Sequence, residues 1–100
     1  YLPNSVTDLS ALIVSQSLKG HIATFMEGIQ CRMPSDSFIK LVLAPAGEKK
    51  LIRGLLSVRS ENLNFEVECN DNEILGILCG LRLLSQSEVK VWHSERVFAS

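Results

Sequence analysis

The chain has 100 residues, 46% hydrophobic and 21% charged, and its 10 Lys+Arg against 11 Asp+Glu leave a formal net charge of −1. That length supplies one hydrophobic core and therefore one domain over residues 1–100. The apolar share excludes an intrinsically disordered chain, and no apolar run approaches the roughly 18–20 residues that a membrane helix needs.

The first third has helical period. Leu18, Ile22, Phe25, Met26 and Ile29 fall at i, i+4, i+7, i+8 and i+11, a single apolar stripe, with Lys19, His21 and Glu27 on the other side. Upstream, Ala11-Leu12-Ile13-Val14 reads as helix capped by Ser5 or Asp8, or as a brief strand before a helix that opens near Ser15. Helix is the favoured reading of the whole segment, which ends at Pro34 and Ser35-Asp36-Ser37.

The period then changes to two. Phe38 to Leu43 is rich in strand-forming types and stops at Pro45, and Ala46-Gly47-Glu48-Lys49 supplies turn chemistry. Over 51–59, Ile52, Leu56 and Val58 share one parity and Arg53, Ser57 and Arg59 the other. Gly54 marks a bulge or a close backbone approach. After the turn at Ser60-Glu61-Asn62, Leu63, Phe65, Val67 and Cys69 alternate strictly with Asn64, Glu66 and Glu68.

A second helix follows. Asn70 with Glu73 three residues later has the form of a capping box, and Ile74, Ile77, Leu78, Leu81 and Leu84 form a stripe that Leu75 broadens. Ser85-Gln86-Ser87 reads as its end, and Glu88-Val89-Lys90-Val91-Trp92 as a short last strand. The expected fold is α+β in the order α-β-β-β-α-β. It is an antiparallel three- to four-stranded meander with two helices packed on one face.

Catalytic patterns are absent. No Gly-x-Ser-x-Gly elbow accompanies the serines, and Glu66 and Glu68 fall on the solvent parity of a strand, where no apolar pocket raises a carboxyl pKa. Cys79 sits deep in a helix, without the N-terminal position that activates a thiol. Cys31, Cys69 and Cys79 are odd in number and widely spaced, which suits a reducing, intracellular compartment and builds no zinc knuckle. The expectation is no enzyme activity, no metal and no cofactor. Gly76 and Gly80 read as positions of close packing against the sheet rather than a phosphate cradle.

Surface contacts remain. Trp92 beside His93 either closes the rim of this domain's own core, the favoured reading, or touches a partner. Val97, Phe98 and Ala99 are more apolar surface than so small a domain easily buries. Trp92, His93, Val97 and Phe98 are the candidate partner contacts. Lys49, Lys50, Arg53 and Arg59 form a possible basic strip, but Glu48, Glu61, Glu66 and Glu68 offset its field, so nucleic acid is not the expected partner. The start at Tyr1 reads as a fragment of a longer scaffold protein.

Several stretches resemble the C-terminal α/β domains of the Fanconi anaemia-associated 100-kDa protein and, more loosely, of Fanconi anaemia group B protein. They are Tyr1-Leu2-Pro3 with Ser5-Val6, Phe65-Glu66-Val67-Glu68, and Leu75-Gly76-Ile77-Leu78-Cys79, within a helix, meander and helix skeleton over 1–85. The resemblance implies a nuclear, non-catalytic scaffold that pairs with Fanconi group B protein and a RING-type ligase subunit in a ubiquitin ligase complex for DNA crosslink repair. Coat-adaptor appendage platforms share this kind of architecture, so an adaptor domain that binds peptide motifs is the alternative.

Overall fold

The computed structural model describes residues 5–9, 12–47 and 50–99, with backbone only for 92–99. It is an α+β fold of four strands and two helices: β1 (Ser5–Asp8), α1 (Gln16–Arg32), β2 (Phe38–Pro45), β3 (Ile52–Arg59), β4 (Asn64–Asp71) and α2 (Ile74–Ala99). The sheet order is β1-β2-β3-β4. β2, β3 and β4 form the expected antiparallel meander, and β1 adds to its edge parallel to β2. Parallel neighbours need a crossover, and α1 supplies it.

Strand parity decides what is covered. The registers Ile39↔Val58, Leu41↔Leu56 and Leu43↔Gly54 continue across β3 to Phe65, Val67 and Cys69. Ile39, Leu41, Leu43, Leu56 and Val58 are fully buried, joined in one core by Ile22, Met26 and Ile29 of α1 and by Ile74, Ile77, Leu78 and Leu81 of α2. Both helices contribute to that one cluster, as the periodicity requires. The other parity stays open, with Lys40, Arg53, Arg59, Glu66 and Glu68 exposed.

Two glycines let α2 approach the sheet. A Cβ on Gly54 would overlap Ile77 Cγ2, and one on Gly80 would overlap Cys69 Sγ. The ladder runs through Gly54 unbroken, so it serves close approach rather than a bulge.

The two ends differ from expectation. At the start, Ser5 and Asp8 belong to β1 rather than capping a helix, and Leu12–Val14 has no regular structure. Four residues are too few to show a clear period, and pairing with β2 is what makes them a strand. α1 opens after Ser15, whose Oγ accepts the Leu18 amide at 3.2 Å. At the far end, Glu88–Trp92 is not a strand: α2 continues through Ser85-Gln86-Ser87 to Ala99. Ser85 has turned inward, 1% exposed, and its hydroxyl donates to the Arg82 carbonyl at 2.9 Å, so the serine needs no break in the helix. The start of α2 is held by Asp71 rather than Asn70, with the Glu73 amide donating to Asp71 Oδ1 at 3.1 Å.

Candidate functional site

The topology sets α1 and α2 side by side. β4 runs in the same direction as β2, so the helix leaving β4 runs in the same sense as the helix entering β2. Their solvent sides bound a furrow. Its first part, a cleft of about 460 Å³, lies between His21, Phe25, Ile29 and Arg32 of α1 and Leu75, Leu78, Cys79 and Arg82 of α2. A second hollow of about 260 Å³ shares the Ile29 and Arg32 wall and continues past Met33, Ser85 and Val89 to Lys90.

The floor and rim differ in chemistry. Ile29, Met33 and Leu78 are buried, Phe25 and Val89 half-buried, and Leu75 45% exposed. Arg32, Arg82 and Lys90 stand at the edge, all exposed, and among the described residues no Asp or Glu lines either part. None of the three has an acidic residue three or four positions away within its helix, the spacing at which helical charges pair. Nor does any of them form an ion pair with a described residue. At about 100° per residue, Glu27 and Glu88 point well away from the furrow on their helices.

On the open sheet face Glu68 pairs with Arg53 at 2.8 Å, and Ser57 Oγ donates to Glu66 at 3.1 Å. The possible basic strip of Lys49, Lys50, Arg53 and Arg59 is interrupted: Arg53 is paired, Arg59 lies at the opposite end of β3, Lys50 is exposed before β3 begins, and Lys49 falls outside the described residues.

Trp92, His93, Val97 and Phe98 lie in the last turns of α2, just beyond the end of the furrow, and their side chains fall outside the described residues. Leu84, expected in the buried stripe, is 42% exposed because the stripe passes from Leu81 to Ser85. Sequence periodicity did not single out Arg32, Arg82 and Lys90. Each is an ordinary surface cation on its own helix, and only the packing of the two helices puts them along one opening.

Cys79 is exposed in the furrow wall, Cys31 is exposed outside it, and Cys69 is half-buried beneath α2. Burial, with the negative charge of Asp71 second, raises the Cys69 thiol above its ordinary value. Among the described residues no cluster of His, Cys, Asp or Glu is placed to hold a metal ion, and no helix is long and apolar enough to cross a membrane.

No model of a known protein family matches the chain, and no curated protein matches it. Among solved structures it is similar to the N-terminal domain of Protein Y from Thermus thermophilus. The two share 17% identity over 87% of this chain and 92% of that one, with a TM-score of 0.62. That likeness defines a shared α+β fold.

Proposed function

We propose that this chain is a non-catalytic protein-interaction module, in its specific form a scaffold domain of the nuclear Fanconi core complex. The observation that carries the general reading is the outer surface of α2. Leu75, Leu83, Leu84 and Val91 are 45%, 64%, 42% and 53% exposed on the helix that also buries Ile74, Ile77, Leu78 and Leu81. These apolar residues extend beyond the side of α2 that the sheet encloses, interspersed with exposed polar residues such as Arg82 and Lys90. Leucines left in water favour a neighbouring protein that removes them from it, at about 25 cal/mol per Å² of apolar surface.

The Fanconi form rests on the resemblance of the meander and second helix, and its partners are Fanconi group B protein and a RING-type ligase subunit. Co-expression with these two subunits, followed by size-exclusion chromatography, tests it. Co-elution that Leu83→Glu abolishes supports the assignment, whereas separate elution removes it. The furrow favours a second reading, an adaptor-like platform for peptide motifs.

A further inference from the structure

We infer that the furrow between α1 and α2 receives a helix from a protein partner, an amphipathic segment whose apolar stripe is flanked by glutamates or aspartates. The inference rests on the interaction-module reading and adds the site and the chemistry of the occupant. The floor calls for an apolar stripe: Phe25, Ile29, Met33, Leu75, Leu78 and Val89 line it. The rim calls for negative charge. Among the described residues Arg32, Arg82 and Lys90 have no acidic partner and no carboxylate lines the opening, although the whole chain is slightly acidic. An anionic flank on a partner therefore meets cations that are already unpaired, without breaking an existing ion pair.

The walls also decide the conformation of the occupant. Both are α-helices, whose backbone amides and carbonyls are satisfied within each helix, so the furrow offers no edge along which an extended strand pairs. A segment entering it must satisfy its own backbone, and an α-helix does so. From His21 to Arg32 the α1 wall spans twelve residues, about 18 Å at the helical rise, which accommodates three to four turns of a partner helix.

Two fluorescent peptides titrated against the 100-residue chain test this. Both are amphipathic helices with the same leucine spacing, one flanked by glutamates and the other by lysines. The glutamate peptide is expected to bind at least about tenfold more tightly, a preference that shrinks as salt rises. Reversing the rim with Arg32→Glu, Arg82→Glu and Lys90→Glu, in a variant that keeps the parent melting curve, is expected to invert it. Bound glutamate peptide should slow alkylation of Cys79, which lines the furrow, and leave Cys31, which is exposed elsewhere, reacting as before.

Equal affinity for the two peptides, absence of binding by both, a preference that survives charge reversal, or unprotected Cys79 overturns the proposal. Displacement of the peptide by single-stranded nucleic acid at equal concentration also overturns it, because the rim is then a phosphate site. The two readings fail separately. Co-elution with partner subunits that is lost in Leu83→Glu but untouched by the rim reversal leaves the interaction module and removes the furrow. Selective peptide binding without subunit co-elution keeps the furrow and removes the Fanconi assignment.

Discussion

α1 and α2 rest on the same sheet face, yet of the two only α2, among the described residues, leaves large apolar side chains exposed. α1 buries Ile22, Met26 and Ile29 and turns Lys19, His21 and Glu27 outward, so its two sides match the two media they face. α2 buries a longer stripe through Ile74, Ile77, Leu78 and Leu81 and still exposes Leu75, Leu83, Leu84 and Val91. A helix whose apolar surface matches its cover is a structural part. One whose apolar surface exceeds its cover leaves apolar area in water, and that excess is what the interaction-module proposal rests on.

The comparison breaks most severely if the buried side of α2 is emptied. Ile77→Ala, at a fully buried position pressed against Gly54, is expected to cost about 2–5 kcal/mol, measured by chemical denaturation. Leu78→Ala, beside it and nearly as buried, belongs in the same range. An unchanged midpoint at both would place the phase of α2 in error. Filling the opposing site is next. Gly54→Ala puts a methyl where Ile77 already sits and should cost about 1–3 kcal/mol through overpacking. For α1 the sharpest test lies at its end, where Ser15→Ala removes the acceptor of the Leu18 amide and should cost about 1 kcal/mol.

A pH effect comes from beneath α2. Because the folded state raises the Cys69 thiol above 9.0, folding favours its protonated form. This stabilisation is complete below the unfolded thiol's value and is lost as pH rises through the higher folded value. Denaturant melts on either side of that window should show stability declining with pH, and Cys69→Ala should flatten the decline. The smallest expected effect is on the outer side. Leu83→Glu should leave stability within about 0.5 kcal/mol, as surface changes do, while abolishing partner binding. A large loss of stability there would mean that the domain itself, rather than a partner, uses that surface.

The central fold was legible because its periods are long and clean. Strict alternation from Leu63 to Cys69 and the 3–4 spacing from Ile74 to Leu81 predict the elements that form and the faces they bury. Both ends were opaque for reasons of length and chemistry. β1 has four residues and exists through pairing with β2, and Glu88–Trp92 alternates like a strand but continues a helix already propagating from Ile74. Once a helix is nucleated, each added residue gains a hydrogen bond, and serines at 85 and 87 do not reverse that.

Of the candidate site, neither the exposed apolar residues of α2 nor the opening beside it was legible: Leu75 and Leu84 read as part of the buried stripe and Val91 as part of a strand. Local spacing determines which side of each element is apolar, since side chains repeat every two residues on a strand and every 3.6 on a helix. Which cations share a rim, and that Ser85 rather than Leu84 takes the inner position, depend on how two helices separated by three strands come to lie together. That is a relation between distant segments. It was settled by the packing of one core, in which glycine at 54 and at 80 let α2 settle close to the sheet.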